Sequence, residues 1–284
     1  MNIVLLASGG DAPGMNSCLY EICRHLKKHK LFASLYGFKG LIENQIIKVD
    51  IKKLKDERKK AGVLFKTSRC DEFKTDDGFK TALKNLKQNH IDIVIILGGD
   101  GSFKGGQKLV KHGVKVIFVP ATIDNDMPYQ TNCIGFDTAV YACVNYIKNV
   151  MPSMKAFDRS CVFEVMGRNN PSICNKCGEL LKAELVISNP KDKLEIKKIN
   201  KSNIVVLQEN LFNKEDVAKK LEERYNITFK SACVGYLQRG TSPTNEEIKL
   251  CKKYANLVEK AIKTKSFSCA LKISNQDMTI GLFN

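Results

Sequence analysis

Two runs of apolar residues constrain this chain more than any other feature. Residues 91–97 read IDIVIIL and residues 114–120 read VKVIFVP. Neither alternates polar with apolar residues, as a strand with one wet face would, so both faces of each must be covered. Between them, SFKGGQKLVKHG (102–113) carries apolar residues at helical spacing and ends in glycine. A buried strand, a covering helix and a second buried strand form a βαβ unit, whose strands run parallel. The alternation recurs. NIVLLAS (2–8), LFASLYGF (31–38), QIIKV (45–49), SCVFEVM (160–166), AELVI (183–187), NIVVLQE (203–209) and SACVGY (231–236) read as strands. GMNSCLYEICRHLKKH (14–29), DGFKTALKNLKQN (77–89), TAVYACVNYIKNVM (138–151) and TNEEIKLCKKYANLVEKAIK (244–263) read as helices. The expected fold class is α/β, with mainly parallel sheets flanked by helices. At 284 residues and 43% hydrophobic content, the chain can bury one large domain or two lobes.

Composition narrows the function classes. The formal charge is +16, but the excess is spread over stretches such as KKLKDERKK without interleaved aromatics. It reads as a solvated lysine-rich face, and nucleic acid is not the expected partner. No apolar run reaches the roughly 18 residues of a membrane helix. MNIVLLASGGD has no basic leader region and reads as a first strand. Eleven cysteines without a regular framework imply reduced thiols and a cytoplasmic setting. Cys174 and Cys177 form the one close pair, and with no second pair at zinc spacing they read as helix cysteines. Only seven of the 46 basic residues are arginine. A chain that uses lysine for bulk charge keeps arginine where a planar fork matters, as in gripping phosphate or carboxylate.

The chemistry-bearing clusters fall directly after strands, where ligands bind in open α/β sheets. SGGDAPGMN (8–16) follows the first strand, and its glycines permit close backbone approach to an anion. GGDGS (98–102) places Asp100 at a helix start, either as a cap or as a ligand to Mg²⁺ bridging nucleotide phosphates. TIDND (122–126) packs two acids into one turn after VKVIFVP. They can cap that turn. They can also serve a kinase, which needs a carboxylate near the accepting hydroxyl. EVMGRN (164–169), LQEN (207–210) and GYLQRGTSP (235–243) add Arg168, Glu209 and Arg239 at further strand ends.

In this order, SGGDAPGMN, SR-x-x-EF, GGDGS, TIDND, IGFDTA, EVMGR and QRG-x-SP resemble the ATP-dependent 6-phosphofructokinases over almost the whole chain. The resemblance implies a kinase that phosphorylates fructose 6-phosphate at the 1-hydroxyl in glycolysis, with Mg²⁺. It implies two lobes, an ATP-binding lobe of residues 1–135 plus 238–284 and a fructose 6-phosphate-binding lobe of residues 136–237. Gly10, Arg69, Cys70, Asp100, Gly101, Ser102 and Gly105 fall on ATP positions, with Asp100 as the metal ligand. Asp124 falls on the general base, supported by Thr122, Asp126 and Arg168. Thr122, Asp124, Asp126, Met166, Gly167, Arg168, Glu209, Lys230, Tyr236 and Arg239 fall on substrate positions. Arg159 falls on an arginine that family members lend to a neighbouring subunit, which implies a homotetramer. Gly101 stands where pyrophosphate-dependent relatives carry aspartate, so ATP is the implied donor.

Several positions depart from the family pattern. Lys230 replaces an arginine, Tyr236 a histidine, and Lys66 a glycine. Phe38 and Cys70 replace aromatic positions beside the adenine, and Ala121 replaces a glycine. The family's C-terminal helical tail has no counterpart in the sequence. Tyr20, Ile51, Met151, Asn200 and Ser202 stand at basic positions of the family's effector pocket, while Arg24 and Glu184 are retained. Weak effector control is therefore expected. These departures leave two alternatives: a catalytically impaired paralogue that binds nucleotide or regulates a complete enzyme, or a kinase for another sugar phosphate.

Overall fold

A computed structural model describes residues 1–129, 131–274 and 278–282. In chain order its strands are β1 (Asn2–Ser8), β2 (Lys30–Ser34), β3 (Ile46–Lys48), β4 (Ile93–Gly98), β5 (Val116–Thr122), β6 (Ile134–Gly135), β7 (Ser160–Val165), β8 (Leu185–Ile187), β9 (Ile204–Gln208), β10 (Phe229–Cys233), β11 (Cys269–Ile273) and β12 (Met278–Leu282). Its helices are α1 (Met15–His25), α2 (Phe38–Ile42), α3 (Ile51–Glu57), α4 (Asp76–Gln88), α5 (Asp100–Lys111), α6 (Phe136–Ala156), α7 (Ser172–Leu181), α8 (Lys214–Tyr225), α9 (Leu237–Gly240) and α10 (Asn245–Lys263). The chain divides into two compact units. One comprises residues 1–122, 126–135 and 242–284, the other residues 123–125 and 136–241.

The first unit is built on a sheet ordered β12-β11-β5-β4-β1-β2-β3, with β6 paired to β5. Its centre is parallel, and its edge strands β3 and β12 are antiparallel. The expectation that β4 and β5 are covered on both faces is met. Val94 and Ile96 of β4 join a core with Phe38, Leu41, Phe79, Leu86, Phe103 and Phe118. The intervening Ile93, Ile95 and Leu97 are equally buried. Each such side chain contributes about 1.5–3 kcal/mol on leaving water, which offsets much of the entropy cost of ordering the strands. The apolar run through Phe38 does not continue as strand. β2 ends at Ser34, Tyr36 takes a left-handed φ of 58°, and Phe38 opens α2.

The second unit carries a smaller sheet, ordered β10-β7-β9-β8 and parallel throughout. β7 shows why its run is continuously apolar. Val162 points into a core with Val205, Leu207, Leu221 and Phe229. Cys161 and Phe163 point the other way, against Ile147 and Met151 of α6. Cys174 and Cys177 lie buried on α7, and all eleven cysteines are free thiols. Burial pushes the Cys174 thiol up to about 12, so it stays protonated at neutral pH and is a poor metal ligand. Among the described residues no helix is long and apolar enough to cross a membrane.

Candidate functional site

In the first unit three strand ends lie side by side, because β5, β4 and β1 are consecutive neighbours. β1 ends in Ser8, just before Gly9, β4 in Gly98 and β5 in Thr122. Their approach is close enough to require missing side chains. A Cβ on Gly98 would stand 2.4 Å from Ser102 Oγ and 2.8 Å from the Ser8 carbonyl. A Cβ on Gly99 would stand 3.2 Å from Thr122 Cβ and 3.7 Å from Asp126 Oδ1. Ser102 is buried, and its hydroxyl donates to the Ser8 carbonyl at 2.9 Å, which fixes the first turn of α5 to β1. Ser102 therefore acts from beneath this surface, whereas Gly101 stands exposed on it. A Cβ on Gly101 would meet nothing within 4 Å.

Asp100 occupies the first turn of α5 but does not cap it, since the N-cap is Gly99 and no side chain bonds there. The helix dipole favours a carboxylate at this end. Asp100 also pairs with Lys104, one turn on, at 2.6 Å. Asp126 has a buried Oδ1 with no hydrogen-bond partner. A buried carboxylate oxygen in that state is costly unless a ligand, cation or water meets it. The N-terminus of α1, in contrast, is closed. Gly14 is buried with φ 89°, and a Cβ there would stand 2.9 Å from Glu247 Cγ. Gly9, Gly10 and Asp11 of that loop remain accessible. Gly9 is held by Ser68, whose carbonyl accepts its N–H at 3.2 Å, and by Thr67, which donates to its carbonyl at 3.0 Å. This ties the exposed Arg69 segment to the β1 end.

Positions beside the expected adenine are arranged differently from the sequence expectation. Phe38 is buried and stacks on Phe73 with ring centroids 4.1 Å apart, so it offers no exposed ring. Gly105 serves this stack: a Cβ there would stand 2.6 Å from Phe38 Cζ. Cys70 is half-buried against the same core. Lys66 keeps a φ of 61°, the conformation that explains why a glycine suits that position.

In the second unit the turn after β7 is left-handed. Gly167 has φ 150° and Arg168 φ 52°. A Cβ on Gly167 would stand 2.6 Å from the Asn170 carbonyl, so this position excludes other residues. Glu209, just past β9, accepts the N–H groups of Gly167 at 3.1 Å and Arg168 at 2.8 Å through Oε1. Gln208 Nε2 donates to the Arg168 carbonyl at 3.1 Å. Asn170 Nδ2 donates to the Asn125 carbonyl at 3.0 Å, fastening the segment that contains the half-buried Asp124. Met166, Gly167, Arg168 and Glu209 are thus brought together. Arg239 is half-buried on α9, and Tyr236 before it is 81% exposed. Lys230 is exposed on β10. Arg159 lies over the ring of Phe157 at 4.6 Å. Sequence reasoning missed Gln208, Asn170 and Gln238. Asn170 belongs to no acidic or glycine-rich signature, and Gln238, although inside QRG, meets Met166 72 residues away. Of the two residues expected to be retained from an effector pocket, Arg24 pairs with Glu21 at 2.7 Å, and Glu184 accepts from Asn200 at 2.9 Å.

A family model described as phosphofructokinase matches residues 2–262. A Clostridium botulinum protein named ATP-dependent 6-phosphofructokinase is 36% identical over 255 residues, which is 85% of this chain and 80% of that protein. A Clostridioides difficile protein of the same name is 35% identical over 254 residues, again 85% and 80%. Among solved structures, Saccharomyces cerevisiae phosphofructokinase superposes with a TM-score of 0.88 at 22% identity. The match covers 99% of this chain but only 44% of the yeast chain. A pyrophosphate-dependent phosphofructokinase from Nitrosospira multiformis superposes with a TM-score of 0.85 at 18% identity, over 99% of this chain and 83% of that one. At such identities the structural likenesses speak to the fold alone.

Proposed function

Because this chain belongs to the phosphofructokinase family, we propose that it transfers the γ-phosphoryl group of ATP to the 1-hydroxyl of fructose 6-phosphate, releasing ADP and fructose 1,6-bisphosphate in glycolysis. The observation that carries this reading is the surface at the ends of β1, β4 and β5. Glycines let the backbone come close there, the first turn of α5 offers N–H groups, and Asp126 keeps a buried oxygen without a partner. Such a surface suits a polyphosphate, for which positioning and charge stabilisation supply most of the catalysis.

Asp124 is the general base. It lies two residues after β5 and takes the proton of the 1-hydroxyl as that oxygen attacks phosphorus. Thr122 and Asp126 flank it in the chain and set the turn. Gly10, Arg69, Gly101 and the α5 N-terminus face the ATP phosphates, with Gly105 and Cys70 supporting the nucleotide end through the packing of Phe38. Arg159, Met166, Gly167, Arg168, Glu209, Lys230, Tyr236 and Arg239 hold the sugar phosphate. The lack of a side chain at Gly101 leaves room for a nucleotide donor.

Among the described residues no group of three or more His, Cys, Asp or Glu could hold a metal by itself. That fits Mg²⁺, which binds through one or two carboxylates and completes its shell with water and substrate phosphates. Asp100 would hold it, with Asp126 close to the same strand end. When bound it would neutralise charge on the β- and γ-phosphates. Self-association as a homotetramer, with Arg159 serving a neighbouring subunit's site, and a cytoplasmic setting complete the reading. The retained Arg24 and Glu184 are engaged by their own neighbours, which supports weak control by phosphorylated effectors.

The test is ADP release from purified protein with ATP, Mg²⁺ and a panel of sugar phosphates that includes fructose 6-phosphate and tagatose 6-phosphate. Asp124→Ser should lower kcat by about 10²–10⁴-fold. Equal rates in the two proteins would overturn the assignment of the base. Faster turnover of tagatose 6-phosphate would shift the substrate to that sugar.

A further inference from the structure

Gln238 is fully buried, yet it belongs to a four-residue helix next to the exposed Tyr236. A buried amide needs every one of its polar atoms met. Its Oε1 accepts the Met166 N–H at 3.0 Å and the Cys143 thiol at 3.1 Å, and its Nε2 donates to the Gly235 carbonyl at 3.0 Å. Three segments far apart in sequence therefore meet on one side chain. These are the turn after β7, helix α6, and the turn that carries Tyr236 and Arg239. A hydrogen bond with Cys177 and then burial push the Cys143 thiol upward, so it remains an S–H donor.

The backbone of the left-handed turn after β7 is met group by group. Gln238 takes the N–H of Met166, Glu209 those of Gly167 and Arg168, and Gln208 Nε2 donates to the carbonyl of Arg168. Gln238 alone among these also reaches the second turn. From this we infer that Gln238 is a positioning residue, whose single amide sets the register between the Met166–Arg168 turn and the Gly235–Arg239 turn. It touches no substrate. It fixes how far apart Arg168 and Arg239, one on each turn, present their guanidinium groups to an anionic sugar phosphate. The inference rests on the reading of these turns as the acceptor end of the site.

The test replaces Gln238 by Glu and by Leu in the 284-residue chain. Glu keeps the shape and the acceptor, but when ionised it cannot donate to the Gly235 carbonyl. Once protonated, its O–H restores that bond. Burial raises such a carboxyl, so the switch falls in an accessible pH range. Gln238→Glu should raise KM for fructose 6-phosphate by about tenfold at alkaline pH, recover toward the parent as pH falls, and leave KM for ATP within about twofold. Gln238→Leu should show the raised KM at every pH. Unchanged KM for the sugar phosphate in both variants overturns the inference, as does an equal rise in KM for ATP. If the parent protein turns over no sugar phosphate, the acceptor reading fails and amide hydrogen exchange at Met166 decides the rest. Faster exchange in Gln238→Leu supports the lock, and unchanged exchange overturns it.

Discussion

The two units meet the same requirement, a fixed loop beyond a parallel strand, with opposite materials. In the first, the strand ends of β1, β4 and β5 are fixed by the absence of side chains. Gly98 and Gly99 let neighbouring strand ends close on Ser102 and Thr122, and a single hydroxyl bond from Ser102 to Ser8 anchors α5. In the second, the turn after β7 is fixed by side chains that reach across to meet backbone groups: Glu209, Gln208, Gln238 and Asn170. A platform made of backbone presents N–H groups with little to reorganise, which suits a highly charged polyphosphate. A loop set by amides and one carboxylate can be retuned by changing those side chains. Damage should differ accordingly. In the first unit it comes from added atoms, and in the second from removed ones.

The largest effect is expected at Gly98. In Gly98→Ala the new Cβ would lie 2.5 Å from Ser102 Cβ and 2.8 Å from the Ser8 carbonyl, neither of which belongs to a flexible chain end. Strain of about 1–3 kcal/mol follows. The α5 N-terminus must shift, so KM for ATP should rise well over tenfold while KM for the sugar phosphate holds. A variant with parental melting temperature and parental KM for ATP would show that the backbone platform tolerates extra atoms, and the contrast between the units would break.

The converse lesion is Glu209→Ala. Two backbone N–H groups lose a carboxylate acceptor, and each charge-assisted bond contributes about 1.5–3 kcal/mol. The left-handed Arg168 then has less to hold it. We expect KM for the sugar phosphate to rise about tenfold or more with KM for ATP unchanged, and Glu209→Gln, which keeps one acceptor, to fall between. If Glu209→Ala raised KM for both substrates equally, the two loops would not be separable by side chain and backbone.

The same difference in materials explains what the sequence discloses. Platforms of glycine and acid leave compact signatures, so GGDGS and TIDND stand out within nine letters or fewer. The buried runs of β4 and β5 likewise announce parallel strands, and the α/β class follows from them. The strand expected through Phe38 fails because periodicity cannot see the left-handed Tyr36 that ends it, or the Phe73 ring that draws Phe38 inward. Gln238 is invisible for a related reason. Its letter sits inside QRG, but its partners are Met166 and Cys143, and no local spacing encodes a contact 72 residues away. Glu209 reads from sequence as a ligand contact, while one of its oxygens is committed to the backbone.

Gly101 isolates the ligand's share of a glycine from the fold's share. Unlike Gly98, it has open space in front of it. Gly101→Ala should therefore stabilise α5 by up to about 1 kcal/mol through helix propensity, seen as a higher melting temperature, while raising KM for ATP a few-fold. Gly101→Asp should weaken ATP further by repulsion. A melting temperature that fell in Gly101→Ala would mean that the fold, not the donor, requires the glycine.

The smallest expected effect lies away from both strand-end loops and serves as their control. Glu259 on α10 accepts from His25 Nδ1 at 2.8 Å and pairs with Lys263 at 2.5 Å. Bonds from Lys263 and then His25 hold its carboxyl below its ordinary value of 4.5. A carboxyl depressed in the native state stabilises the fold above its unfolded value, and that contribution is lost as pH falls through the native one. The pair is partly exposed, so the contribution is about 0.2–1 kcal/mol. Glu259→Gln should melt roughly 1–3 °C lower than the parent at neutral pH, and the gap should close as the solution is acidified well below 4.5. KM for both substrates should be unchanged, because neither the backbone platform nor the side-chain-set turn is touched. A gap that widened on acidification would reverse the assigned sign. A change in either KM would show that the two strand-end loops are not as independent of the surrounding helices as their separate construction implies.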